Sequence, residues 1–283
     1  RDRSPSRGLG DVYKRQMFIF VHLATLITVL SIGFLLVYVL VKGIPNLNAD
    51  IFSWEYTSDN CSLVPALINT VYMTLLSLLI AGPIGIFAAI YLVEYAKTGN
   101  KLVGVVRITA ETLTGIPSIV YGLFGMLFFT NACGLRLSLI SGALTLAIMV
   151  LPVIMRTTEE ALMAVPKSYR EGSFGLGAGK LRTVFKVVLP SAVPGILSGI
   201  ILATGRIVGE TAALIYTAGS VAKMATKLTD STRTLAVHMY LLSKEGLHTD
   251  QGYATAVVLL VLVVLINFAS DKIAGKVAAD KAN

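Results

Sequence analysis

Six nearly unbroken apolar runs alternate along the chain with polar segments. They cover approximately Met17–Val41, Ala66–Leu92, Thr109–Phe129, Leu137–Met155, Ser191–Tyr216 and Tyr253–Ser270. A helix needs about 17 to 25 such residues to cross the hydrocarbon core of a bilayer. The pattern therefore predicts an all-α, polytopic membrane protein with six transmembrane helices. Helix breakers punctuate two of the runs. Ala81-Gly82-Pro83-Ile84-Gly85 lies within the second and Gly115-Ile116-Pro117-Ser118 within the third. Proline removes a backbone donor and collides with the preceding turn, so a kink is expected at each. In lipid, carbonyls freed by a kink need partners inside the bundle. Small residues that let helices approach closely explain these breakers more simply than a path that opens and closes.

Composition agrees with the pattern. Hydrophobic residues make up 55% of the 283 residues and charged ones only 14%, against about 25% charged in soluble domains. A formal charge of +8 raises the question of nucleic acid, but lysines and arginines fall between the apolar runs and form no patch. No nucleic-acid partner is expected. Their distribution sets an orientation instead. With the N-terminus inside, segments 94–107, 156–190 and 271–283 carry three, six and three basic residues, against six on the outer side. Both termini are therefore expected to be cytoplasmic. The first sixteen residues, RDRSPSRGLGDVYKRQ, hold five of the 24 basic residues and no apolar run. DVYKRQ also resembles the translation of a transposon-end sequencing adapter. Residues 1–16 are expected to be a non-native segment, leaving 17–283 as one transmembrane domain with a cytoplasmic loop at about 157–190. Cys61 and Cys133 have no metal-type spacing. Both fall on or near the outer face, where a disulfide is one reading and two unrelated thiols the simpler one.

The loop between the fourth and fifth runs reads TTEEALMAVPKSYREGSFGLGAGKLRTVFKVVLPSAVPG. Ser168 and Glu171 have capping-box spacing, which predicts a short helix after Pro166 that fails at Gly175, Gly177 and Gly179. Leu181, Val184, Phe185 and Val188 then recur at helical spacing opposite Lys180, Arg182 and Lys186. This predicts a basic amphipathic helix on the inner membrane surface, ending at Pro190. Thr157, Glu159 and Glu160 repeat the capping-box spacing and predict a helix start. The glycine run is not a phosphate loop, because Phe174 and Leu181 stand where a Walker A motif needs glycine and Ser or Thr.

Glu171-Gly172-Ser173, then Gly177, then Val187-Val188-Leu189-Pro190 match the spacing of the EAA loop of ABC importer permeases, E-A-A-x3-G-x9-I-x-L-P. The flanking VVLPSAVPGILSGIILATGRIVGETAALIYTAG, with GIPSIVYGLFG, AAIYLVEYA and TLAVHMYLLSKEG, resembles the A-type permease of the phosphate-specific importer from about residue 66 to the last run. Gly172 and Ser173 replace the motif's two alanines and Val187 its isoleucine. An exposed helical glycine costs about 1 kcal/mol relative to alanine. The resemblance implies a type I ABC importer permease fold in a bacterial cytoplasmic membrane. It also implies a homologous C-type permease partner, two ATPase subunits and an extracytoplasmic phosphate-binding protein. Glu171, Gly172, Ser173, Gly177, Val187, Leu189 and Pro190 would form the ATPase-coupling element. This chain would bind no cofactor, ATP and Mg belonging to the ATPases, and would not be an enzyme.

Arg206 and Glu210 lie inside the fifth run. Arg206 is about fifteen residues past Pro190, or roughly 23 Å into the span at 1.5 Å per residue. A charge at bilayer centre costs at least about 2.5–3.5 kcal/mol, so it usually faces a bundle interior or an aqueous path. On one helix the i,i+4 spacing would bring the two together. Mutual neutralisation and a phosphate path both fit the residues alone. The resemblance places both at the family's R-x-x-x-E positions and implies the path. Arg107 and Glu111, also i,i+4, read as a solvated pair at a cytoplasmic helix start, and Trp54 and Tyr56 as interfacial anchors.

A membrane-embedded enzyme is the competing class. His22, His238 and His248 are the only histidines, and none stands beside a nucleophile or metal-ligand pattern, so no catalytic or metal site is expected. A channel or secondary transporter has no need of the EAA spacing, and no inverted repeat is visible. A permease for another oxyanion, molybdate or sulfate, is the nearest alternative.

Overall fold

The computed structural model describes residues 5–97 and 99–279, with side chains for 13–97, 99–269, 272 and 275. Its helices in chain order are α1 (Pro5–Gly43), α2 (Val64–Ile90), α3 (Lys101–Thr114), α4 (Ser118–Gly125), α5 (Leu139–Ala164), α6 (Lys167–Gly175), α7 (Lys180–Thr183), α8 (Leu189–Val208), α9 (Ala212–Thr217), α10 (Leu235–Glu245) and α11 (Thr249–Ala279). Among the described residues no strand occurs. Five helical stretches are long and apolar enough to cross a membrane, and a sixth span is formed by a broken pair. The all-α, six-span architecture read from hydropathy is thus present. α1 runs through the Met17 boundary as one helix, and residues 1–4 lie outside the described part.

α2 and α5 run side by side at the centre, with α8 against both and α9 against α4 and α5. Met73, Leu146, Met149, Ile154, Ile207 and Leu214 fill the space between them. Apolar burial gains nothing between helices in lipid, so close backbone approach has to hold them together. α8 meets α5 in this way: a Cβ on Gly195 would stand 2.6 Å from Ala161 Cβ, and one on Gly199 would collide with Thr157. α1 packs on α11 and is otherwise exposed along its apolar length.

Two spans depart from their sequence reading. The second span does not, since α2 passes through Pro83 as one helix and ends in a π turn, Tyr91–Tyr95. The third span does not merely kink. α3 and the α4 segment that continues to Ala132 meet at 104° across Gly115–Pro117. Proline disfavours helical geometry in the residue before it, and here that residue is flanked by glycine. The Tyr121 hydroxyl then donates to the Leu113 carbonyl at the end of α3, at 2.7 Å, which also accepts from the Ile116 amide. In the fifth span the amphipathic helix does not end at Pro190. A single helical stretch covers Lys180–Val208. The chain widens into a π turn at Val184–Val188, around Lys186, whose carbonyl a proline ring at 190 would otherwise meet. The stretch stops at Gly209 and resumes as α9.

At the end expected to face outward, Asn69 of α2 holds the segment before α10. Its amide donates to the Lys223 and Arg233 carbonyls and its oxygen accepts from the Ala225 amide. Tyr56 packs beneath the Arg233 guanidinium, 4.5 Å from its ring centre, and against His238. It is half-buried there, whereas Trp54 is 74% exposed as an interfacial residue would be. Cys61 and Cys133 are free thiols, the first buried and the second exposed.

Candidate functional site

Arg206 lies in the last turn of α8, half-buried and within electrostatic reach of Tyr121. Glu210 is one turn further along the chain but not along a helix. Because α8 ends at Gly209, Glu210 sits in the break, and its Oε1 accepts from the Ala213 amide at 3.0 Å. It is 8% exposed and serves as the first-turn acceptor of α9. The expected ion pair is therefore not made. Among the described residues Arg206 has no carboxylate within ion-pair distance. The i,i+4 rule presumes an unbroken helix, and a glycine between the two residues removed that premise.

The charges between α3 and α5 are also paired differently from their sequence reading. Arg107 and Glu111 do not pair with each other. Arg107 bonds to Glu159, while Arg156 reaches Glu160 at 3.2 Å and Glu111 at 3.7 Å. These pairs join α3 to α5 around a cleft of about 270 Å³. The capping role read for Thr157 is wrong, since α5 runs through it and its hydroxyl donates back to Val153 and Ile154.

The loop between α5 and α8 has two short helices, as its sequence predicts, but its caps differ. α6 starts after Pro166 with no side-chain cap, so Ser168 and Glu171 do not form a capping box. Its C-terminus is closed by a Schellman motif. The Ala178 amide donates to the Ser173 carbonyl and the Gly177 amide to Phe174, with Gly177 at φ +81°. A left-handed residue closes such a turn with least strain when it is glycine. No atom lies within 4 Å of a Cβ built on Gly177, so backbone conformation, not lack of room, calls for glycine there. The Ser173 and Thr183 hydroxyls bond at 2.8 Å, tying α6 to α7, which runs on into α8. Of the amphipathic stripe, Val184 and Val188 are buried while Leu181 and Phe185 face out.

Of the motif residues, Ser173, Gly177 and Val187 line one depression of about 290 Å³ with Leu176, Ala178, Arg182 and Lys186. Glu171 lines another, with Glu94 and Arg170. Gly172 is exposed, and Leu189 and Pro190 are half-buried at the start of α8. Sequence reasoning missed Glu94 and Arg170. Arg170 donates from Nε and Nη2 to Glu94 Oε1 at 3.0 and 2.7 Å, and from Nη2 and Nη1 to the Leu162 and Val165 carbonyls at 2.9 Å each. A separation of 76 residues left no local signal, beyond an acidic residue at the end of an apolar run.

A bundle of membrane-length helices, broken beside the arginine that ends α8 and extended by a helical loop at one end, is an architecture suited to a transport subunit. Residues 81–279 match the binding-protein-dependent transport system inner membrane component family, and the chain belongs to that family. It is 33% identical to the probable ABC transporter permease protein YqgI of Bacillus subtilis, over 87% of this chain and 90% of that one. It is 40% identical to the phosphate transport system permease protein PstA of Xylella fastidiosa, over 62% of each. Among solved structures it is similar to the MetNI methionine ABC transporter in inward-facing form. That match has a TM-score of 0.58 and 25% identity, covering 74% of this chain and 93% of that one. The chain is thus a multi-pass inner-membrane permease subunit of an ABC importer, and not an enzyme. ATP hydrolysis lies in separate subunits, and ATPase and binding-protein partners follow from the class.

Proposed function

We propose that this subunit forms half of an inorganic-phosphate path, pairing with a homologous C-type permease and receiving phosphate from an extracytoplasmic binding protein. The observation that carries the reading is Arg206, a half-buried guanidinium in the last turn of α8 without an acidic partner among the described residues. Its planar fork of donors suits a tetrahedral oxyanion. Glu210 supports the path indirectly, by holding the start of α9 beside it. Similarity to the Xylella phosphate permease agrees with this substrate. The loop of α6 and α7 is the element that meets the ATPases. Glu171 and Gly172 offer its exposed face, Ser173 and Gly177 set its shape, and Val187, Leu189 and Pro190 join it to α8. ATP and Mg bind in those ATPases and not in this chain. Both termini face the cytoplasm, in keeping with the basic residues of segments 94–107 and 156–190.

The test is uptake of radiolabelled phosphate by the reconstituted complex, with arsenate, sulfate and molybdate as competitors. Competition by arsenate alone is the expected result. Preferential import of sulfate or molybdate would reassign the substrate within the same class of importer.

A further inference from the structure

α6 has no buried residue of its own. Its placement against the membrane core depends on polar ties. One is the Ser173–Thr183 hydroxyl bond to α7, which is continuous with α8. The other is Arg170, whose side chain is 18% exposed and meets Glu94, 8% exposed, at the end of α2. The same guanidinium caps the Leu162 and Val165 carbonyls where α5 ends. Those carbonyls are among the unsatisfied acceptors that every helix C-terminus leaves, and a cation there is further favoured by the helix dipole. One side chain thus joins the exposed helix of the loop to both central helices of the bundle.

A tie of this kind resists substitution. Removing one partner of a buried, hydrogen-bonded ion pair leaves the other charge uncompensated. Lysine cannot replace arginine, because a point charge does not reproduce a fork that serves a carboxylate and two carbonyls at once. On the element side, the π turn Tyr91–Tyr95 presents Glu94 beyond the end of α2's regular winding.

We propose that Arg170 is a positioning residue which transmits displacement of α6 to α2 and α5, through Glu94 and the end of α5. This rests on the reading that α6 docks on an ATPase. Displacement of α6 is then shared between α8, reached through the chain and Ser173, and the α2–α5 pair, reached through Arg170. Without Arg170, α6 still docks and ATP is still hydrolysed, but the central pair no longer follows.

The experiment uses the complete complex with binding protein in proteoliposomes and measures ATP hydrolysed per phosphate imported. A photo-cross-linker at position 176 reports docking, since Leu176 is 91% exposed on the loop. Arg170→Gln and Glu94→Gln should each raise the ATP-to-phosphate ratio about tenfold, within the roughly 5–150-fold range of ordinary coupling between sites. The cross-link should persist in both, and Arg170→Lys should fall between them and the parent. An unchanged ratio in Arg170→Gln and Glu94→Gln overturns the proposal. Loss of the cross-link in these variants also overturns it, by showing that Arg170 only shapes the docking surface. Leu176→Glu separates this from the underlying reading. If Leu176→Glu leaves ATPase association intact and the parent gives no cross-link at 176, α6 is not the docking element and the reading itself fails.

Discussion

Arg206 and Glu210 stand four residues apart yet do separate work. Arg206→Gln should abolish phosphate uptake while the complex assembles and binds ATP, because no partner charge is left stranded by the change. Arg206→Lys should keep part of the uptake, having the charge without the fork. Uptake and co-purification of the other subunits measure both. At Glu210 the acceptor matters more than the charge. Glu210→Gln retains an oxygen for the Ala213 amide and should unfold near the parent's temperature. Glu210→Ala leaves a buried amide unsatisfied and should cost about 1–3 kcal/mol, read as a lowered melting temperature of the complex. Exchanging the two residues should not restore uptake, since they were never paired. The arginine's place within a membrane-length apolar run was legible from hydropathy alone. Its lack of a partner was not, because Gly209 reads as an ordinary small residue of a membrane helix.

Two elements carry predictions of their own. The Schellman turn after α6 needs a left-handed residue at 177, which costs an L-amino acid about 1–2 kcal/mol. Gly177→Ala should therefore speed hydrogen exchange at the Ala178 amide about tenfold, and Gly177→Asn less, as asparagine tolerates this conformation. α10 carries His238, fully buried, whose Nε2 donates to the Cys61 carbonyl at 3.3 Å. Burial, and then the Arg233 charge, lower its pKa to about 3. The unfolded chain has an ordinary histidine near 6.5, so below that pH the unfolded state binds the extra proton. The contribution is intact above 6.5 and falls by about 1.4 kcal/mol per pH unit down to about 3. Thermal unfolding between pH 7 and 4 should show this slope, and His238→Asn should flatten it. α10 itself belongs to no apolar run, so hydropathy left it within a long loop. The loop helices were legible from glycine spacing and amphipathic period. Their caps were not, since capping-box spacing at Ser168 and Thr157 matched sequence rules that the surrounding helices overrode.

For the whole molecule, hydropathy and charge distribution fixed the number of spans and an expected orientation. The orientation has a direct check in the two native thiols. An impermeant maleimide added to intact cells should label Cys133, which is exposed, and leave Cys61 unlabelled until the protein is denatured. Labelling of Cys133 only from the cytoplasmic side would invert the topology. What the sequence withheld at this scale were the long-range ties. Glu94 to Arg170, Arg107 to Glu159 and Asn69 to the segment before α10 each join residues far apart in the chain. Local periodicity reports which face a residue takes, and not which distant residue it meets. Chain breaks followed the same division. Gly115–Pro117 announced itself through proline, whereas Gly209 carried no such mark.

The helical stretch from Lys180 to Val208 packs on α5 at Gly195 and Gly199, where a Cβ would meet Ala161 and Thr157. Treated as a rigid rod, it would pivot at those glycines as at a fulcrum. At 1.5 Å per residue, Lys180 lies roughly 28 Å to one side of Gly199 and Arg206 roughly 10 Å to the other. A sideways push of about 3 Å at the Lys180 end of such a rod would swing Arg206 about 1 Å the opposite way. That reduction of roughly threefold trades distance for force. About 1 Å still covers much of the range between a good hydrogen bond and a broken one. Filling the fulcrum at Gly199 would move the pivot or jam it, without touching the arginine or the loop.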